Sequence, residues 1–246
     1  MQQTIARSCG ADLFGIADAG RLAEYGLLDA VRALWPEARS AIVVGRKILR
    51  GTLRGVEEGT STWSTYEMFG HQWHEGQFLN RTVYLLGCYL EDQGVEALPL
   101  LGKGPLELAK VAEAAGLGRI GKGGFLLTPE YGHRQRFGVI LVDCELAPTP
   151  KKEVDFCTGC DACVTACPLQ AFAGGSRDEA LCRVCVNGRS DGTNEASDRY
   201  AAACGRACMV ALEKRIGEHF AAPFRKRAVW QRDVYGEAKL VEAGQK

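Results

Sequence analysis

The sequence predicts a layered α/β (α+β) domain over residues 1–147, a compact cysteine-rich module over residues 148–212, and a tail over residues 213–246. Three observations lead there. Helical and strand periodicities alternate along roughly the first 145 residues. The stretch APTPKK, from Ala147 to Lys152, has the composition of a linker. Eight of the eleven cysteines then fall between Cys157 and Cys208.

Taken in order, a short helix ends near Gly10, and the apolar run Leu13-Phe14-Gly15-Ile16-Ala17 reads as a strand. A helix is expected from about Arg21 to Leu34, stopped by Pro36, and Ala41-Ile42-Val43-Val44 reads as the next strand. A long helical pattern runs from about Thr65 to Gln93. It carries His71 and His74 three positions apart, which read as a polar helix face because no third histidine or carboxylate accompanies them. A short strand near Val95 to Leu100, a helix opened by Pro105 and a strand from Phe137 to Val142 complete the alternation. The tail after Glu213 reads as a helix plus an extended strap.

Thirty basic residues balance thirty acidic ones, so no global field draws the molecule to a polyanion or an anionic membrane. The composition therefore does not favour a nucleic-acid partner, and only the tail cluster Arg225-Lys226-Arg227 offers local basic charge. The start, MQQTIARSCGADLFG, lacks the pattern of a signal peptide, and no stretch reaches the roughly 18 apolar residues of a membrane span. A cytoplasmic protein with no membrane partner is expected. In that setting the cysteines are reduced thiols rather than a disulfide framework. Cys9, Cys88 and Cys144, scattered in apolar surroundings, read as buried structural residues.

The run Cys157-Thr-Gly-Cys160-Asp-Ala-Cys163-Val-Thr-Ala-Cys167-Pro168 is the C-x2-C-x2-C-x3-C-P pattern of bacterial ferredoxins. Three closely spaced thiolates wrap one 4Fe-4S cubane, and the fourth reaches the neighbouring cluster. Zinc instead asks for two spaced pairs. Cys182, Cys185, Cys204 and Cys208 bring the thiolates to eight, the number two cubanes require. Cross-over ligation then assigns Cys157, Cys160, Cys163 and Cys208 to one cluster, and Cys167, Cys182, Cys185 and Cys204 to the other. A single cluster at the first motif, with another metal or none at the second, is the alternative.

The segment Gly116-Leu-Gly118-Arg-Ile-Gly121-Lys122-Gly123-Gly124 contains both a literal G-x-G-x-x-G and a literal G-x-x-x-x-G-K. A dinucleotide fingerprint must follow a strand and open a helix, whereas this loop follows a helical pattern and precedes Phe125-Leu126-Leu127. A P-loop would need Ser or Thr where Gly123 stands. Two readings remain: a backbone approached closely by a flat cofactor, or a plain turn between helix and strand.

The string AGLGRIGKGGFLLTPEYGHRQRFGVILVDCEL, followed by the cysteine run, resembles the cobalamin-dependent epoxyqueuosine reductases and, more distantly, the reductive dehalogenases. CGADLFGIADA and LWPEARSAIVVG are similar to earlier pieces of the same family. The resemblance implies a nitroreductase-like, cobalamin-binding-type domain followed by a ferredoxin-like module with two 4Fe-4S clusters. It implies that Gly116, Gly118, Arg119, Gly121, Lys122 and Gly123 lie against a corrin, and that Thr128, Arg134 and Arg136 line the same cavity. Where the family carries an aspartate thought to protonate its substrate, this chain has Gly102 followed by Lys103. Lys103 and Tyr131 are the candidate proton donors, Lys103 only if burial lowers its pKa. Ala201 occupies an expected cysteine position, with Cys185 as the replacement ligand, and the family's carboxy-terminal repeat extension is not seen. Reduction of epoxyqueuosine in transfer RNA is therefore not expected.

Two functions follow from this resemblance. In the first, a low-potential donor passes electrons through two clusters to cobalamin or a similar corrinoid, which reduces a small-molecule substrate. In the second, the chain holds no organic cofactor and hands electrons to a corrinoid or other partner protein. Flavin in the same cavity is a further alternative.

Overall fold

Side-chain alternation along the strands decides the architecture. The structure is a computed structural model that describes residues 2–58, 74–101, 105–184, 203–213, 215–217, 227–232 and 238–244. Strands β1 (Leu13–Asp18), β2 (Ser40–Lys47), β3 (Ala97–Leu100) and β6 (Gln135–Val142) form one sheet in the order β1-β2-β6-β3. Every neighbouring pair is antiparallel, with Ile16 opposite Ile42, Ile42 opposite Ile140, and Pro99 opposite Ile140.

Successive residues of a strand face opposite sides. Leu13, Ala17, Ala41, Val43, Phe137, Val139 and Leu141 meet α2 (Ala19–Glu24), α3 (Leu28–Leu34) and α6 (Leu108–Ala114). Ile16, Ile42, Val44, Ile140 and Val142 meet α1 (Gln2–Ser8) and α5 (His74–Asp92) on the other side. The sheet is thus buried on both faces, which explains why β2 and β6 read as unbroken apolar runs. Alternation of helices and strands announced the α/β layering but not the number of layers. It did not announce strand direction, because a helical connection can cross a face and return antiparallel.

Several boundaries differ from expectation. The helix expected from Arg21 to Leu34 is two helices, because Gly26 adopts φ +65°. There Gly26 N–H donates to the Ala23 carbonyl and Leu27 N–H to the Leu22 carbonyl, the paired bonds of a left-handed helix terminator. The helix expected at Pro105 begins at Leu108. In the tail after Glu213, the described residues include an antiparallel pair formed by β7 (Arg227–Arg232) and β8 (Ala238–Gly244). Cys9, Cys88 and Cys144 are partly rather than fully buried; Cys9 and Cys144 sit at the margin of the core beneath α1 and α5. His71, Gly102, Lys103, Cys185, Ala201, Arg225 and Lys226 lie outside the described residues.

The segment with linker composition is tied down. Thr149 N–H donates to the Ile16 carbonyl, and the Thr149 hydroxyl accepts from Ile16 N–H, each at 3.0 Å. Lys152 N–H donates to the Gly116 carbonyl. This strap carries the chain from the sheet to the cysteine residues. No helix among the described residues is long and apolar enough to cross a membrane.

Candidate metal centre

The first cysteine motif folds as a loop followed by the short helix α7 (Ala162–Thr165). Cys160 N–H donates to the Cys157 carbonyl, and Cys167 N–H to the Val164 carbonyl, so the x2 and x3 spacings curl the chain around a common point. Helix α9 (Ala203–Leu212) packs against α7 and carries Cys204 and Cys208 one turn apart on one face. A small apolar cluster of Phe125, Leu127, Val154 and Leu212 closes over Cys157, Cys204 and Cys208.

Cys208 therefore reaches the first motif from a distant part of the chain. Burial pushes its thiol well above the usual range, and repulsion from the neighbouring Cys163, Cys157 and Cys160 thiols adds to the shift, with Cys204 contributing less. The Cys163 thiol is raised for the same reasons, burial first and then Cys157. Thiols gathered this way, Cys163 buried and Cys157, Cys160 and Cys208 partly so, fit a centre that binds them as thiolates. No group of side chains among the described residues could hold a lone metal ion; a cubane distributes its ligands over four irons and asks for a wider ring. Of the second set, Cys167 accepts from Ala171 N–H at 3.4 Å, and Cys182 lies in α8 (Glu179–Val184).

The glycine loop is a hairpin. Gly116, at φ +78°, terminates α6 by the same paired bonds that Gly26 makes. Strands β4 (Arg119–Ile120) and β5 (Leu126–Leu127) then pair across a turn at residues 121–124. The loop thus opens no helix. A Cβ on Gly118 would collide with the Leu127 carbonyl oxygen and stand 2.8 Å from its carbon. Backbone cannot yield as a flexible side chain can, so Gly118→Ala should cost about 1–3 kcal/mol, read as a lowered thermal midpoint. A Cβ on Gly121 would stand 2.8 Å from Cys157 Sγ, and one on Gly123 3.4 Å from Cys163 Sγ. The tip of the hairpin lies on the first cysteine motif.

The remaining candidate residues are also placed. Thr128 is buried, its hydroxyl 3.1 Å from Gln135 Oε1. Arg134 is buried and donates to the Ile48 carbonyl at 2.7 Å. Arg136 is half-buried and Arg119 exposed. Tyr131 is half-buried beside the core; burial and then the nearby Asp12 carboxylate raise its phenol, which keeps it protonated at neutral pH. Gly116, Gly118, Thr128 and Arg134 are closed on by the protein's own atoms, and Gly121, Lys122 and Gly123 face the cysteine loop.

Sequence reasoning overlooked two contacts that join the halves. His133 is buried, stacks on Phe125 with ring centroids 4.9 Å apart, and places Nε2 2.5 Å from the Gly205 carbonyl. A carbonyl only accepts, so Nε2 carries the proton. Arg50, on the single 3-10 turn after β2, pairs with Glu213 just beyond α9. The only signal for either is polarity in an apolar context, which does not reveal a partner.

Comparison with known proteins agrees with this construction. Residues 150–173 match the family model of a 4Fe-4S binding domain. The chain is 30% identical over 174 residues to an epoxyqueuosine reductase of Synechocystis sp., covering 70% of this chain and 56% of that one. It therefore spans little more than half the length of that relative. An epoxyqueuosine reductase solved with an epoxyqueuosine-modified tRNA-Tyr stem loop has the same mixed α/β fold, with a TM-score of 0.60, 19% identity, and coverage of 89% of this chain and 65% of that one. A reductive dehalogenase whose structure suggests a mechanism for B12-dependent dehalogenation aligns with a TM-score of 0.52 and 14% identity, over 99% of this chain and 40% of that one. The resemblance read from the sequence thus holds. The expectation set against nucleic acid is corrected, since a similar protein engages a tRNA stem loop; overall neutrality does not exclude such a partner for this fold.

Proposed function

We propose that this chain, similar to the epoxyqueuosine reductases in sequence and to a reductive dehalogenase in fold, is an iron-sulfur reductase. It carries low-potential electrons through two 4Fe-4S clusters. The observation that carries the reading is the packing of α9 against α7, which brings Cys204 and Cys208 into the same apolar cluster as Cys157. Cys157, Cys160, Cys163 and Cys208 hold one cluster, and Cys167, Cys182, Cys185 and Cys204 hold the other. When bound, the clusters relay single electrons between a low-potential donor and an acceptor. The protein's own part is to exclude water with Phe125, Leu127, Val154 and Leu212, to fix the thiolates on α7 and α9, and to keep the Tyr131 proton in place at neutral pH.

The acceptor is a corrinoid-type cofactor in residues 1–147, supported by the relatives, and the reduced substrate is a small molecule. A second reading is favoured by the closure of Gly116 and Gly118 on the protein's own backbone: the chain keeps no organic cofactor and passes electrons to a corrinoid or other partner. Anaerobic reconstitution should yield about eight iron and eight acid-labile sulfide per chain. Finding about four of each would remove the second cluster. Cobalamin that co-purifies in a one-to-one ratio would establish the first acceptor; flavin, or neither, would overturn it. Turnover assays with tRNA-borne and free substrates then separate the two substrate classes.

A further inference from the structure

The hairpin tip at residues 121–124 does more than touch the cysteine loop. Gly124 N–H donates to the Gly121 carbonyl at 2.8 Å, closing a four-residue turn in which Lys122 is the second residue. The amide of that residue plays no part in the turn's own bond. Here it points outward, and Lys122 N–H donates to Cys157 Sγ at 3.4 Å. The same side chain returns to the motif: Nζ donates to the Cys160 carbonyl at 3.2 Å and to Asp161 at 2.8 Å. One residue of the sheet-bearing half thus holds three consecutive features of the cysteine loop: a ligand sulfur, a ligand carbonyl and the carboxylate that precedes α7.

We propose that Lys122 sets the reduction potential of the cluster held by Cys157, Cys160, Cys163 and Cys208. The proposal rests on the ligand set of the preceding section. Reduction adds negative charge to a cluster and its sulfurs. A donor aimed at a ligand sulfur stabilises the reduced form more than the oxidised one, and a nearby ammonium does the same, so both raise the potential. Gly121 and Gly123 make the approach possible, because a Cβ at either would press on Cys157 Sγ or Phe125. The spacing that imitates a nucleotide loop is thereby accounted for: its glycines clear space for a cluster, and its lysine addresses ligand residues rather than phosphate.

The test removes the amide without removing the turn. Proline suits the second position of such a turn and has no N–H, so Lys122→Pro deletes the bond to Cys157 while the Gly121 to Gly124 closure stays. Lys122→Ala keeps the amide and loses the ammonium. Reconstituted wild type and both variants are titrated by spectroelectrochemistry with electron paramagnetic resonance detection. Lys122→Pro should lower the one-electron reduction equilibrium of one cluster about tenfold, about 59 mV, with the other cluster's signal unmoved. Lys122→Ala should move the same cluster in the same direction by less. Wild-type potentials in both variants would overturn the proposal, and if Lys122→Pro fails to assemble, a wild-type potential in Lys122→Ala does so alone. A wild type without the first cluster's signal would instead sink the ligand assignment on which the proposal stands.

Discussion

Replacing Cys208 by alanine should cost the protein a whole cluster, taking reconstituted iron from about eight atoms per chain to about four. The expectation follows from position. On the proposed ligand set, Cys208 is the residue that α9 brings to Cys157, Cys160 and Cys163, and it sits against the apolar patch beneath the hairpin. The same proposal gives Cys204, one turn away on the same helix face, to the other cluster. Iron and sulfide analysis, with reduced-state electron paramagnetic resonance, reads the outcome, and Cys144→Ala, which touches neither motif, should retain both signals. Full iron in Cys208→Ala would mean that a different residue closes the first cluster. Cys185→Ala should instead damage only the second.

The second large effect is expected on stability. Arg50 and Glu213 form an ion pair whose side chains are only 5% and 14% exposed. Removing Glu213 takes from a buried guanidinium the carboxylate it pairs with, which costs about 3–5 kcal/mol. Glu213→Ala should therefore lower the thermal midpoint by roughly 10 °C in a chain of this size. An apolar exchange of both residues, Arg50→Met with Glu213→Leu, should recover most of that loss, since the desolvation penalty disappears with the charges. Thermal unfolding of the single and double variants checks both statements; a double variant no better than Glu213→Ala would show that the pair is more than an electrostatic tie.

How much was legible in the sequence differs between the two halves for physical reasons. Ligand spacing in the Cys157–Cys167 run is a local property, since each thiolate is positioned by the few residues beside it. That these strands lie in an α/β layered core was equally readable, because Ile42, Val43 and Val44 or Val139, Ile140 and Leu141 have no polar face to show. What escaped depends on partners distant in the chain. Its context already set the glycine loop apart from a nucleotide site, but a cofactor cradle and a plain turn could not be told apart until Gly118 was seen against Leu127, and Gly121 against Cys157. The split at Gly26 escaped because a glycine within a helical pattern is often tolerated, and only its left-handed conformation marks a terminator. His133 and Arg50 were invisible for the same reason, their partners lying 72 and 163 positions away.

The place of β6 in the sheet has a consequence for how the protein is made. β6 lies between β2 and β3, yet both are synthesised long before it. A nascent chain that ends before Gln135 owns two outer pieces of a sheet and no middle, with β2 offering an open edge and α5 lacking the strand that lies between β2 and β3 beneath it. Pairings between sequence-distant strands form slowly, and an exposed apolar edge invites association with other chains. Once β6 is threaded between its neighbours, the cysteine motif follows within a few residues of strap. The ribosome thus delivers the sheet's keystone and the iron-binding loop almost together, so a chaperone that shields the unfinished sheet would also hold the chain during the interval in which it must meet its iron supply.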